Sequence, residues 1–447
     1  MRVVSLPKFP LTMSLVSLIC GIFLPTNVNA ATANVKPMTD EEFKLNLSGY
    51  GDIRYSFHDH GANSTLRDGA QKDARVSFDT TRFVVKADGH YEPYDLLFEA
   101  EVEIEHGGTG SALELEYEES GEFENEVEKG GEILLEEFYL KKFFFDKDFS
   151  VFAGRIKVAF GYLTFNTKPT QYLAVSRPET ESRIIPESWN EIGAAMTYRT
   201  ELFRFQTQIV NGLDSTGFSS QYWIASGHQS RFEETRATDL AYVLRADIVP
   251  TRGVQLGVSA YHGGTTRNRP QADLVHACGK TSSSEVAPCG YINAPVTLVD
   301  FHWSATAFSG SIITQGSAMW GELKNAGKVS ERNRRLSNGL GVARSPVADQ
   351  AYGVWGEVGY DLNATDDGQR GTYALIPFVR YDQYDTMYKV KSGQIDNPRF
   401  AKKIMTVGLV HNLRQSVVSK IDISRRTFGS ANLRPETTLA AGLGFVY

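Results

Sequence analysis

Two periodicities run together through this 447-residue chain, and between them they leave little freedom of fold. Segment after segment alternates apolar and polar residues, and the connections between segments alternate short and long. Phe43, Leu45, Leu47, Ile53, Tyr55 and Phe57 share one face, while Lys44, Asn46, Ser48, Asp52, Arg54 and Ser56 share the other. Period two is the repeat of a β-strand whose faces meet different surroundings. Leu96–Glu105 is sharper still, with Leu96, Phe98, Ala100, Val102 and Ile104 set against Glu99, Glu101, Glu103 and Glu105. Four carboxylates in a row on one face call for water. The opposite face calls for lipid or a core.

Further strands of this kind are expected at Arg82–Tyr91, Ile133–Phe145, Phe149–Gly161, Asn190–Thr200, Leu202–Asn211, Asp239–Val249, Gly253–Gly263 and Thr297–Phe308. The series continues with Ser311–Glu322, Ala351–Asn363, Tyr373–Asp385, Lys403–Leu413, Ser416–Arg426 and Thr437–Tyr447, about sixteen strands in all. Glu92–Asp95, Asp146–Asp148, Thr200–Glu201, Pro250–Arg252, Ser309–Gly310, Ala364–Gly371 and Arg414–Gln415 are short connections. Residues 58–73, 107–132, 162–189, 212–237, 264–296, 323–350, 386–402 and 427–436 are long ones. A soluble sandwich has no reason to sort its loops by length. Sixteen up-and-down strands with both termini on the periplasmic side do. The expected fold is therefore all-β, a transmembrane antiparallel up-and-down barrel, each strand reaching the roughly 9–11 residues that a tilted crossing needs. A change of phase near Thr80–Arg82 marks an expected bulge.

The N-terminus fits export. Arg2 and Lys8 precede an apolar run, Leu11–Leu24, and Val28-Asn29-Ala30 reads as a cleavage site, so residues 1–30 are expected to be a signal peptide. Residues 31–42 form a short polar lead-in, and 43–447 a single barrel domain. No later segment reaches helical membrane-spanning length, which a barrel does not need. The formal charge of −7 argues against nucleic acid as a partner. Forty glycines, 20 tyrosines and 26 phenylalanines suit strands bordered by aromatic girdles. Cys278 and Cys289 lie in one long connection, and in an exported protein they are expected to form a disulfide that closes it.

Phe138–Trp189 is the central stretch: a hairpin turning at Asp146-Lys147-Asp148, then the long loop 162–189. On its second strand the alternation puts Phe152, Gly154, Ile156, Val158 and Phe160 on the lipid face. Val151, Ala153, Arg155, Lys157 and Ala159 take the water face.

With the strands placed, residues 43–447 resemble the porin O/P family, the group that includes phosphate-selective porins. The clearest blocks are Glu136-Glu137-Phe138-Tyr139-Leu140, Ala153-Gly154-Arg155-Ile156-Lys157-Val158-Ala159-Phe160-Gly161 and Asn190-Glu191-Ile192-Gly193. Val210-Asn211-Gly212, Arg245-Ala246-Asp247-Ile248-Val249-Pro250 and Pro377-Phe378-Val379-Arg380-Tyr381-Asp382 support them in order and spacing. The ending Leu439, Ala441, Leu443, Phe445, Tyr447 is similar to the signature by which outer-membrane barrels are inserted, which usually closes on Phe. The resemblance implies sixteen strands, a homotrimer among outer-membrane lipid and lipopolysaccharide, a third loop (162–189) folded into the pore, and passive diffusion of small hydrophilic, phosphate-like anions.

Selectivity in such a pore rests on radius and on charges facing a narrow water column. The basic candidates are Lys44, Arg54, Arg82, Lys86, Arg155, Lys157, Arg204, Arg245, Arg380 and Lys420. The acidic ones are Glu99, Glu101, Glu103, Glu105, Glu137 and Asp382, and the loop adds Lys168, Arg177 and Arg183 beside Glu179, Glu181 and Glu187. Arg155 and Lys157 adjoin the loop and are the first candidates for a constriction, with ion pairing to Glu137 as the alternative role. A glutamate row on the wall and a loop rich in glutamate from Glu114 to Glu128 favour a second reading, a general or weakly cation-preferring pore. That glutamate run is either a solvated face or a weak divalent-cation site. An adhesin or structural barrel is the reading from another class. Catalysis is not expected, since no Gly-x-Ser-x-Gly, P-loop or His-Glu-x-x-His motif occurs. In His58-Asp59-His60, Asp59 points to the face opposite both histidines. No cofactor or metal is otherwise expected.

Overall fold

The computed structural model describes residues 43–61, 69–108, 132–229, 235–277, 289–336, 345–364, 373–391, 394–413 and 416–447. The expected leader, the lead-in and the acidic stretch 114–128, with the divalent-cation site weighed there, lie outside these residues. Sixteen antiparallel strands pair each with the next, and the last returns to the first, closing a barrel. They are β1 (Phe43–His60), β2 (Lys72–Tyr91), β3 (Leu96–Glu105), β4 (Glu132–Phe144), β5 (Phe149–Lys157), β6 (Asn190–Arg199), β7 (Phe203–Asn211) and β8 (Leu240–Thr251). β9 (Val254–Gly263), β10 (Val296–Ala307), β11 (Ile312–Leu323), β12 (Gln350–Tyr360), β13 (Tyr373–Lys389), β14 (Ala401–Leu413), β15 (Val417–Phe428) and β16 (Glu436–Val446) complete the wall. Among the described residues three α-helices sit in the long connections: α1 (Glu179–Ile184), α2 (Gln271–Ala277) and α3 (Ala326–Leu336).

Alternation sets the faces. Leu47 and Phe78 are 68% and 78% exposed on the outside, whereas Arg82 and Glu101 are 4% and 3% exposed inside. β2 carries the expected bulge: Asp52 pairs with Arg82 and Ile53 with Thr80, leaving Thr81 over. At the seam, Gly49 and Tyr447 exchange backbone hydrogen bonds, each 3.0 Å. Tyr447 lies with its ring near those of Phe83 and Phe445, so the chain's aromatic end finishes the closure. A β-carbon on Gly49 would stand 2.2 Å from the Val84 carbonyl oxygen, so the seam admits no side chain there.

The main apolar core lies within the barrel. Ile156, Val158, Phe160, Ile184, Ile185 and Trp189 pack against wall residues such as Val210, Tyr261, Leu298 and Tyr384. β5 is accordingly shorter than expected: it stops at Lys157, where the chain turns into the lumen. Cys289 is disulfide-bonded and packs with Leu274 of α2 and Leu336 of α3, while Cys278 lies outside the described residues.

Candidate functional site

The site is the lumen, and it is organised by the segment from Val158 to Trp189. As β5 ends, Gln208 on β7 takes over the backbone bonds: its amide donates to the Lys157 carbonyl and its oxygen accepts from the Ala159 N–H, both 2.8 Å. Gly161 then adopts a left-handed φ of 80°, and a β-carbon there would come within 2.9 Å of the Glu181 carboxylate.

The loop is tied to the wall in several directions. Arg245 on β8 donates to the Gly161 carbonyl at 2.6 Å, and Tyr162 donates to Gln315 on β11 at 2.8 Å. Across the lumen, the Leu173 N–H donates to Glu357 (2.8 Å) and the Val175 N–H to Asp422 (2.6 Å). Lys420 donates to the carbonyls of Tyr172 and Ala174 at 2.6 and 2.9 Å. Arg380 reaches the Ser176 carbonyl and Arg54 the Ser176 hydroxyl, each at 2.7 Å. Glu179, at the start of α1, accepts from Tyr384 (2.7 Å) and from Arg426 Nε (3.0 Å). The Arg426 and Lys402 cations hold its carboxyl well below the usual range against the opposing effect of burial. Glu181 accepts from the Trp355 indole at 2.8 Å and the Leu163 N–H at 3.0 Å. Burial nonetheless pushes it up to about 7.

The glutamate row of β3 is not solvated, contrary to the expectation drawn from its sequence. Glu99 pairs with Lys86 at 2.6 Å, and Arg82 pairs with Glu103 and with Glu136. Lys157 bridges Glu101 (3.0 Å) and Glu137 (2.9 Å). Buried carboxylates persist when cations of matching geometry neutralise them. Glu99, Glu101 and Glu137 bring oxygens within 4.8 Å of one another, and the Lys157 ammonium serves two of the three. Glu136, which the sequence reading passed over, enters this ladder because β4 is irregular there: Glu101 pairs with Glu137 and Val102 with Leu135.

Arg155 requires a correction. Its register partners are Phe138 and Ile192, both exposed on the outer face, and cross-strand partners share a face. Phe152 and Ile156, expected to face lipid, are buried instead, Ile156 within the core around the loop. The phase of β5 is thus the reverse of the one read from its sequence. Lys157 reaches the ladder from the strand's end, and Arg155 does not accompany it.

The remaining candidates are distributed as follows. Arg245 forms a buried cluster with Asp247 and His302, which also meets Asp300 at 3.2 Å. Arg380 pairs with Asp382 at 3.0 Å. Arg177 pairs with Glu187, and Arg183 with Glu179 at 3.3 Å. Lys44 pairs with Glu92 at the short-turn end. Asp59 turns to Arg434, away from His58 and His60. Asp300, His302, Glu357, Asp422 and Arg426 were missed, although each lies on a lumen-facing strand position that alternation marks.

Below the loop, towards the short turns, lies a cavity of about 410 Å³. Its floor includes Lys147 and Asp148, its roof Phe165, Thr167, Lys168 and Gln171. Seven basic residues line it (Lys86, Lys141, Lys147, Lys157, Lys168, Arg199, Arg204) against four acidic ones (Glu99, Glu101, Glu137, Asp148).

No protein-family model matches the chain, so membership of the porin O/P family is not established. An uncharacterized protein of Aquifex aeolicus is 21% identical over 387 residues, covering 86% of this chain and 76% of that protein. Among solved structures, the outer membrane channel DcaP of Acinetobacter baumannii aligns with a TM-score of 0.53 at 8% identity, over 92% of this chain and 99% of that one. OprB of Pseudomonas putida gives 0.51 at 12% identity, over 91% and 95%. OmpF of Salmonella typhi gives 0.51 at 11%, over 92% and 99%. The chain has the fold of the outer-membrane porins.

Proposed function

We propose that this protein is an outer-membrane channel through which small hydrophilic anions diffuse passively, without recognition specific for phosphate. One observation carries the reading: the charge inventory of the cavity below the loop. Glu99 is paired with Lys86, and Glu101 and Glu137 share Lys157, so two of the three negative charges are offset. Lys141, Lys168, Arg199 and Arg204 make no ion pair among the described residues and face the same space. Low-dielectric walls focus the field of that excess into the water column, where it enriches anions and depletes cations. The glutamate row that suggested a cation-preferring pore is spent on its own lysines and arginines. The loop's arginines are paired as well, so it lacks the free cationic row that phosphate selection calls for.

A homotrimer in the outer membrane, among lipid and lipopolysaccharide, is part of this proposal. Charge reversal tests the selectivity. With Lys168 and Arg204 both changed to Glu, the reversal potential in planar bilayers under a salt gradient should move towards cations. An unchanged potential would contradict the assignment.

A further inference from the structure

We infer that the cavity below the loop is a binding site for an aromatic carboxylate, a solute class more definite than small anions in general; this rests on the channel reading above. Lys141 sits among three aromatic rings. Its ammonium lies 4.5 Å from the ring centre of Phe152, 5.3 Å from Tyr139 and 5.8 Å from Phe143. No carboxylate pairs with it among the described residues. On the roof, Arg204 stands 5.3 Å from the ring of Phe165. All six side chains line one cavity. Rings steady a cation by their quadrupole but do not neutralise it, so an anion entering here meets two uncompensated charges. Of the three carboxylates that would repel it, Glu99 is paired with Lys86 while Glu101 and Glu137 share Lys157, and the seven basic side chains of the cavity outnumber its four acidic ones.

The rings decide which anion. Phosphate and chloride are strongly hydrated and gain nothing from Phe143, Phe152 or Tyr139. A saturated carboxylate buries its body but lacks the edge-to-face contacts that aromatic pairs add. A planar aromatic carboxylate meets both demands, its carboxylate towards Lys141 and Arg204 and its ring towards the wall. The cavity's volume lies within the roughly 300–1,000 Å³ of small-molecule sites.

Benzoate is the probe, with acetate and cyclohexanecarboxylate as controls, on the full-length protein. In planar bilayers, benzoate added on the short-turn side should block the chloride current saturably. Its half-block concentration should be about tenfold below that of either control, the factor that about 1.4 kcal/mol supplies. Lys141→Gln should raise the half-block by about tenfold or more, as loss of a charge-assisted contact does. Phe152→Leu, which keeps bulk and removes the ring, should erase the preference over cyclohexanecarboxylate. Equal block by all three acids, or block unaffected by both variants, would overturn the inference. Calorimetric titration of benzoate into detergent-solubilised protein separates this from failure of the channel reading. Lys141-dependent heat without conductance would uphold the site and remove the channel. An anion-conducting pore without that heat would uphold the channel and remove the site.

Discussion

Lys157 is a residue whose charge belongs to the wall before it belongs to any solute. It sits between Glu101 and Glu137, with Glu101 3% exposed. Lys157→Met should therefore destabilise the barrel by about 3–5 kcal/mol, the cost of leaving buried charge uncompensated. Combining it with Glu101→Gln and Glu137→Gln should recover most of the loss, as read by denaturant unfolding in detergent. Glu181 makes a pH prediction. Its folded pKa of about 7 lies above its ordinary value near 4.5, so the native state holds the proton more tightly than the unfolded chain. Its contribution to stability is whole below about 4.5 and is lost as pH rises through about 7. Glu181→Gln should flatten the fall in unfolding temperature between pH 5 and 8; a slope identical to the unaltered protein's would contradict this. Charge made most of the wall legible: on β1 and β3 the polar positions carry Asp52, Arg54 and the glutamates, so the phase could not be mistaken. The partners of those charges were harder, because Arg82 meets Glu136 only through the irregularity in β4, which no period announces.

β5 shows why one element escaped the sequence. Phe152 and Ile156 face an inner core, while Val151 and Ala153 on the other side are also apolar, so both phases fit. Arg155 was the charge that seemed to decide, and it decided wrongly. The apolar lumen positions exist because the loop packs on them, a contact whose residues lie far along the chain. For the same reason Gln208 and Trp355, which bind the loop's backbone and Glu181, carried no signal of their own. The loop itself is held largely through main-chain atoms. Lys420→Met with Asp422→Asn removes the partners of the Tyr172 and Ala174 carbonyls and weakens that of the Val175 N–H. At about 1 kcal/mol net per bond, the far side of the loop should loosen while the barrel stays closed. Single-channel recordings should then show larger conductance and more current noise; recordings like those of the unaltered channel would mean the loop does not set the narrow point.

At the scale of the whole molecule, the barrel inverts the usual plan. Apolar residues cover the outside, and the inside holds a mixed core of charge ladders and an in-folded loop. Closure, strand number and sorted connections were readable because lipid, lumen and turn each leave a separate mark on sequence. The sign of selectivity was not readable, since a row of glutamates looks the same whether or not basic side chains pair with it. Once they do, the excess of cations in the cavity decides. The most direct measurement is the reversal potential of the wild-type channel in planar bilayers across a potassium chloride gradient. The expected sign is that of a chloride-preferring pore. A potential of the potassium-preferring sign would mean that the ladder's carboxylates, and not Lys141, Lys168, Arg199 and Arg204, govern the passage.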